Sequence, residues 1–139
     1  MGCDIHVHVE LKIDGVWEHY SSPYVWRNYG LFGLLAGVRG YGDFDPIVAP
    51  RGLPDDITKL TRLDYLRDHH HHASWLNPSE VREVYKIWDR RWRKDGMDEL
   101  FGFVFGNGFD AVLEIHHCHH SENEGFWVED ARVVFWFDN

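Results

Sequence analysis

The sequence predicts an α+β fold, in which a mainly antiparallel sheet carries an amphipathic helix packed on one face. The first observation is a strict alternation of apolar and polar residues from Asp4 to Ile13, which is typical of a strand with one buried face. The second is residues 132–137, in which both alternating sets are largely apolar, as in a central strand covered on both sides. The third is a well-marked helix from Pro78 to about Trp92.

The first strand leads into a predicted hairpin. Asp14-Gly15 is a favoured two-residue turn between two strand-like runs. A turn of that length pairs Glu10 with His19. We therefore expect His19 to join the polar side chains of the first strand, beside Glu10 and His8.

Shorter elements are expected between the hairpin and the long helix. Asn28 is a predicted N-cap for a helix from Tyr29 to about Ala36. Residues 40–56 have the glycines and prolines of a long loop, and residues 57–67 are compatible with a short helix.

The long helix has the clearest signals at its start. Asn77 is a suitable N-cap, Pro78 occupies the first turn, and Glu80 lies three residues after the cap. Its apolar stripe, expected to face the core, consists of Val81, Val84, Tyr85, Trp88 and Trp92. Further strands are expected at residues 111–116, 126–129 and 132–137.

Composition limits the classes of protein that fit. The chain has 139 residues, 44% hydrophobic and 16% aromatic, which suits one domain spanning residues 1–139. Its formal net charge of -9 argues against binding to duplex nucleic acid or to an anionic membrane surface. Cys3 and Cys118 do not make a disulfide framework, and no segment has the long apolar run of a transmembrane helix or the pattern of a signal peptide. We expect a cytoplasmic protein.

The polar side of the first strand carries the residues best suited to chemistry. Asp4, His6, His8 and Glu10 follow one another along one face at intervals of about 6.5–7 Å. Imidazoles beside carboxylates can act as general acids and bases, or they can ligate a metal ion. The alternative is an ordinary solvated face.

The long loop holds a second kind of candidate. Arg51 lies between Pro50 and Pro54, and prolines stiffen a loop and reduce the entropy lost on binding. An arginine held in this way suits a phosphate or a carboxylate, although a solvated loop arginine is equally compatible with the sequence.

Two histidine-rich stretches, residues 69–72 and 116–120, are also candidates. Alternate residues of a strand share a face, so at most alternate members of the second stretch can bind one metal ion. That stretch is also compatible with an exposed loop tip that has adventitious metal affinity.

Several segments resemble a group of small phage and bacterial proteins that begin Met-Gly-Cys-Asp-Ile-His. The matching segments are Met1-Gly2-Cys3-Asp4-Ile5-His6 with Glu10, Asn28-Tyr29-Gly30-Leu31-Phe32, Ala36-Gly37-Val38-Arg39, Pro50-Arg51-Gly52-Leu53-Pro54, the stretch from His71 to Leu76 that reads His-x-x-Ser-Trp-Leu, and Phe135-Trp136-Phe137-Asp138-Asn139. Residues 97–125 match least, which makes the histidines of residues 116–120 the weaker candidates. The phage setting implies, by association, a role against host defence or in nucleotide metabolism.

Residues and resemblance together lead to two main hypotheses. In the first, the protein is a phosphodiesterase, a hydrolase that cleaves a cyclic nucleotide defence signal in the cytoplasm of the host cell. In the second, it binds and sequesters such a small nucleotide without cleaving it. A structural or interaction role is a third alternative, and a homo-oligomer is left open.

The candidate site is expected to be a pocket between the polar face of the first strand, His71 and Arg51. The catalytic candidates are His6, His8, His71 and Glu10. The substrate-binding candidates are Arg39, Arg51, Ser74 and Trp75, with Trp75 suited to stacking on a base. The cofactor is left open; if a divalent metal is used, its candidate ligands are Asp4, His6, His8 and Asp138.

Overall fold

The sheet has four antiparallel strands in the spatial order β2-β1-β4-β3, in a computed structural model that describes residues 2–25, 27–40, 45–67, 69–92 and 128–138. The strands are β1 (Asp4–Ile13), β2 (Val16–Ser21), β3 (His71–Leu76) and β4 (Val128–Asp138). The helices are α1 (Tyr29–Ala36), α2 (Lys59–Tyr65) and α3 (Pro78–Trp92). The α+β fold expected from the sequence is confirmed.

The β1–β2 hairpin has the turn and the register that the sequence predicts. Asp14 and Gly15 take φ angles of 50° and 78°, the left-handed values that a tight turn between twisted strands requires. Glu10 is paired with His19. The register shifts between Val9 and Glu10, so that the far end of the hairpin contains an irregularity.

β4 is a central strand, as residues 132–137 predict. Both sides of it are covered, because Val133, Val134, Phe135 and Trp136 are all buried. The prediction of two closing strands at residues 126–129 and 132–137 is wrong in one respect, since Val128–Asp138 is a single strand. Its polar residues, Glu129 and Asp130, are solvent-exposed, and the strand continues through them with a register shift against β1 between Lys12 and Ile13.

The odd-numbered residues of β1 face the main core, against α1 and α3. Asn28 caps α1 by accepting a hydrogen bond from the Leu31 amide at 3.1 Å. At the start of α3, Asn77 and Glu80 each accept a bond of 2.9 Å from the other's amide, the reciprocal cap that the sequence predicts. The buried residues that the two helices add to the core are Leu31, Phe32, Leu34, Leu35, Ala36, Val81 and Val84.

The even-numbered residues of β1 face α2. Thr61 and Asp64 of this helix reach Glu10 and His8 of the strand. The polar face of β1 is therefore partly covered by a helix, rather than open along its length. This cover determines which of the predicted site residues meet solvent.

Some predictions concern parts of the chain outside the described residues. They are the strand at residues 111–116, the histidines of residues 116–120, Cys118, and the side chains of Tyr85, Trp88 and Trp92 in the stripe of α3. Of the helices in the described ranges, none is long and apolar enough to cross a membrane.

Candidate functional site

The even face of β1, which we define as Asp4, His6, His8 and Glu10, meets the even-numbered residues of β4. His6 is paired with Trp136, and Glu10 with Arg132. Paired residues of neighbouring strands share a face, so the even-numbered side chains of the two strands form one continuous face, of which Trp136 and Val134 are the apolar members.

His6 forms an imidazole–carboxylate pair with Asp138. The distance from His6 Nε2 to Asp138 Oδ2 is 2.6 Å, and the two side chains are 31% and 27% exposed. The imidazole lies over the Trp136 ring with centroids 5.9 Å apart and an angle of 18° between the planes. The carboxylate oxygen accepts a hydrogen bond from Nε2–H, and Nδ1 is directed away from it.

His8 forms a second pair of the same kind, with Asp64 of α2. His8 Nε2 lies 2.7 Å from Asp64 Oδ2, and the Trp136 ring also stacks on His8, at 5.1 Å. His8 Nδ1 lies 3.0 Å from both His19 Nε2 and Ser22 Oγ. The side chain of His8 is only 6% exposed because α2 and β2 cover it, so His8 lacks the direct access to substrate that its predicted catalytic role requires.

His19 joins this cluster as the hairpin register predicts. Its Nε2 lies 3.1 Å from Ser22 Oγ. Burial and then the neighbouring His8 hold the pKa of His19 below its usual value, so the ring is neutral at pH 7.

Glu10 is fully buried and lies in a network of charged and polar groups. Arg132 Nε donates to Glu10 Oε1 at 2.8 Å, while the Thr58 amide and the Thr61 hydroxyl donate to Oε2 at 3.0 and 2.8 Å. Burial alone would raise the pKa of Glu10, but the hydrogen bonds from Thr58, Thr61 and Arg132 outweigh it and hold the pKa below its usual value. This environment suits a structural carboxylate, and it leaves Glu10 without the access to substrate that the predicted catalytic role requires.

The predicted metal group is not assembled. Asp4 turns instead to Arg27, whose Nε donates to Oδ1 at 2.7 Å, and that hydrogen bond lowers the pKa of Asp4. Each histidine meanwhile uses Nε2 to contact its own aspartate. Across the described ranges, no group of three or more His, Cys, Asp and Glu side chains is arranged to hold a metal ion.

Arg51 and Trp75 line a cavity of about 590 Å³, together with Trp17, Asp56 and Arg132. The guanidinium carbons of Arg51 and Arg132 lie 4.0 and 3.8 Å from the ring centroids of Trp75 and Trp17. Two of the four predicted substrate-binding residues therefore meet at one cavity.

Neither cavity arginine is a free cation. Arg51 forms an ion pair with Glu80 and donates from Nε to the Trp75 carbonyl at 2.9 Å. Arg132 donates to Asp56 at 2.7 Å in addition to Glu10. A third predicted residue, Ser74, is buried, and its hydroxyl accepts a 3.3 Å bond from the Arg51 amide, so it positions the loop rather than lining the cavity.

A second cavity of about 670 Å³ lies between β2 and the start of α2. It is lined by His19 and Thr58, and it shares Trp17 and Asp56 with the first cavity. The surface beside the His8 cluster and the surface beside the two arginines therefore adjoin.

The predicted grouping of His71 with His6 is wrong. His71 is in register with Phe137, which pairs with Ile5 on the core side of β1, and the rings of His71 and Phe137 stack at 6.1 Å. A register shift precedes Ser74, and His72 takes a φ of 54° within it. The extra residue turns His71 to the opposite face of the sheet.

Arg39 also lies apart from the cavity. Its guanidinium is 5.8 Å from the Tyr29 ring, and its charge acts on Cys3, whose pKa is raised by burial. The structure therefore does not place Arg39 with Arg51 and Trp75, and the substrate-binding role predicted for Arg39 has no support in its position.

Sequence reasoning missed Ser22, Asp64 and Trp136 as members of the site. No motif in the sequence pointed to Ser22, and Trp136 was expected only as part of a central strand. Asp64 lies 56 residues from its partner His8, with no local pattern to connect them. The pairing of residues 132–137 with β1 would have placed Trp136 beside His6.

Comparison with protein-family models, with curated proteins and with solved structures finds no match for this chain, so its function has to be inferred from the chemistry of the site itself.

Proposed function

We propose that this protein is a phosphodiesterase that acts on a small nucleotide, such as a cyclic nucleotide defence signal in the cytoplasm of a phage-infected cell. The observation that carries the proposal is the His6–Asp138 pair on the solvent-accessible part of the even face. The nucleotide and the phage setting come from the resemblance of the chain's segments to phage proteins.

His6 is the group that exchanges protons with the substrate. Asp138 holds Nε2, and Trp136 supports the ring from one side, so the imidazole has a defined orientation. Among the described residues, no hydrogen-bond partner occupies His6 Nδ1, which is therefore available as a general base toward water or a hydroxyl group. A positioned acid or base of this kind contributes roughly 100- to 10,000-fold in rate.

His8 is a buried neighbour of His6 in the same site. Because it is buried, the groups that link it to solvent among the described residues are His19 and Ser22, and Ser22 is exposed. Trp136 contacts both His6 and His8, so it keeps the two imidazoles at a constant separation. His8 is thus a positioning residue in this proposal, which differs from its expected direct role.

The cavities beside the even face are the proposed place for the nucleobase. Trp17 and Trp75 offer aromatic surfaces, each covered by a guanidinium. Base stacking on an aromatic ring contributes about 1–3 kcal/mol. Since both arginines are already paired with carboxylates, they favour stacking on a planar base over neutralisation of a phosphate.

The same cavities support the second candidate, a protein that sequesters the nucleotide without cleaving it. Two arginine–tryptophan pairs in one cavity could hold a base whether or not His6 acts on a phosphodiester. Turnover distinguishes the two functions.

The test is incubation of the purified protein with cyclic dinucleotides and ADP-ribose derivatives, followed by chromatography of the products. We expect the wild type to produce a linear or hydrolysed nucleotide, and both His6→Ala and Asp138→Asn to lose most of this activity. Asp4→Asn, which removes a carboxylate from the same strand face without touching His6, is the matched control. Tight binding by the wild type with no product would favour sequestration, and full activity of His6→Ala would refute the proposed centre.

A further inference from the structure

Three atoms that can bind a metal ion lie close together, one each from β1, from β2 and from Ser22, the residue that follows β2. We propose that His8 Nδ1, His19 Nε2 and Ser22 Oγ form a binding site for a divalent transition metal such as Zn²⁺, with Asp64 orienting His8. This site, named here the His8–His19 cluster, shares only His8 with the metal group predicted from the sequence. The inference stands on geometry and does not depend on the proposed phosphodiesterase activity.

The spacing of the three atoms is close to that of ligands around one ion. The sides of the triangle are 3.0 Å (His8 Nδ1 to His19 Nε2), 3.0 Å (His8 Nδ1 to Ser22 Oγ) and 3.1 Å (His19 Nε2 to Ser22 Oγ). Tetrahedral ligands at roughly 2.0–2.1 Å from zinc lie about 3.3–3.4 Å from one another. A displacement of a few tenths of an ångström, well within side-chain motion, would therefore admit the ion.

Asp64 prepares His8 as a ligand. The carboxylate lies 2.7 Å from His8 Nε2 and accepts a hydrogen bond from it, which leaves Nδ1 facing the triangle. A carboxylate on the outer nitrogen of a ligating histidine is the usual arrangement at metal sites, where it fixes the ring and increases its basicity. Trp136 packs against the His8 ring at 5.1 Å and limits its rotation.

The cluster is closed on one side and open on the other. His8 is buried, His19 is partly buried, and Ser22 is exposed. Two imidazoles would be the principal ligands, with the Ser22 hydroxyl as a weaker third. Water or a substrate oxygen would complete the coordination from the exposed side, as at zinc sites that retain an exchangeable position.

Without metal, hydrogen bonds satisfy the same atoms. Ser22 O–H can donate to His8 Nδ1, and His19 Nε2–H can donate to Ser22 Oγ. Metal binding would replace both bonds and move the His19 proton to Nδ1. Hydrogen bonds alone are the competing explanation of the geometry, and they predict no affinity for metal at this cluster.

Thermal unfolding with increasing Zn²⁺ separates the two explanations. The cluster joins residues distant in sequence, so it can bind metal only in the folded protein, and binding must raise Tm. The histidine-rich stretches at residues 69–72 and 116–120 are contiguous in the chain and keep their affinity after unfolding, which greatly reduces their effect on Tm. We expect Tm to rise by about 10 °C at about 100 times the Kd.

Matched variants assign the effect to the cluster. His19→Ala should abolish the rise, and Asp64→Asn should weaken affinity by roughly 10- to 100-fold. His6→Ala, on the same strand face but outside the triangle, should bind metal like the wild type. Neither His19 nor His6 is fully buried, so both variants can be compared as folded proteins.

Co²⁺ supplies an independent readout, because a tetrahedral site with two imidazoles gives visible absorption. This absorption should be the same in the wild type and His6→Ala, and it should be weaker in His19→Ala, in which the histidine-rich stretches remain but the cluster has lost a ligand. An equal rise in Tm for His19→Ala and the wild type, or no rise in the wild type, would overturn the proposal. Failure of the phosphodiesterase proposal is distinct, since it would appear as missing turnover in a protein that still binds metal.

Discussion

Glu10→Gln should be among the most damaging single substitutions in this chain, although it changes only one atom of the side chain. In the wild type, Glu10 Oε1 accepts from Arg132, and Oε2 accepts from the Thr58 amide and the hydroxyls of Thr58 and Thr61. A glutamine amide has one oxygen and one NH₂ group. Whichever way it is oriented, NH₂ faces a donor, either Arg132 or the two threonines.

The expected loss of stability in Glu10→Gln follows from the burial of Glu10 and Arg132. Glu10 is 0% exposed and the Arg132 side chain 5%, so the substitution leaves a buried guanidinium without its principal counterion. Breaking such a pair costs about 3–5 kcal/mol, against a net stability of about 5–15 kcal/mol for a typical domain. At this chain length, we expect a fall in Tm of roughly 10–20 °C.

The measurement is urea unfolding of the wild type, Glu10→Gln and Asp4→Asn. Asp4 is the matched control, because it lies on the same face of β1 and pairs with Arg27, but the two side chains are 51% and 55% exposed. Solvent and salt screen an exposed pair of this kind, so Asp4→Asn should leave the free energy of unfolding nearly unchanged. If both variants lowered the free energy of unfolding by the same small amount, the assignment of Glu10 to the structural network would be refuted.

Three further predictions concern the same surface. The pKa of Glu10 is lower in the folded protein than in the unfolded chain. Its contribution to the free energy of unfolding is therefore complete above the unfolded pKa of about 4.3 and is lost as the pH falls through the folded pKa. The urea midpoint of the wild type should accordingly fall more steeply below about pH 4 than that of Glu10→Gln. Thr61→Val should lower the free energy of unfolding by about 1–3 kcal/mol, because valine has a similar shape but lacks the buried hydroxyl that donates to Glu10. Thr61→Ser keeps the hydroxyl and should lower it by less in the same urea titration. His6→Ala should lower turnover by roughly 100- to 10,000-fold, while calorimetry shows a shift in Tm of less than about 3 °C, because His6 is 31% exposed.

Local signals in the sequence were enough for the hairpin and two of the helices. Asp14-Gly15 determined the register that brings His19 to Glu10, and the reciprocal cap at Asn77 marked the start of α3. α2 was only weakly indicated, because among its residues only Thr61 is buried and its leucines, Leu60 and Leu63, are exposed to solvent rather than packed in the core. β3 was missed, since a run of histidines contains no alternation.

The errors in the site arose from contacts between distant parts of the chain. The bulge in β3 reverses the face of His71, and a single extra residue of this kind cannot be recognised without the partner strand. Glu10 and Arg132 are 122 residues apart, so alternation alone could not distinguish a buried ion pair from an accessible carboxylate.

The pairing of β1 with β4 also bears on how the protein folds. The β1–β2 hairpin closes over a two-residue turn and can form within about 1–10 μs. The His6–Asp138 pair instead joins residues 132 positions apart, and the two strands that carry it are the centre of the sheet. Closing so long a segment costs entropy before any contact compensates for it, which makes folding slow relative to domains built from local contacts. The proposed acid–base centre is therefore expected to form late in folding, together with the middle of the sheet.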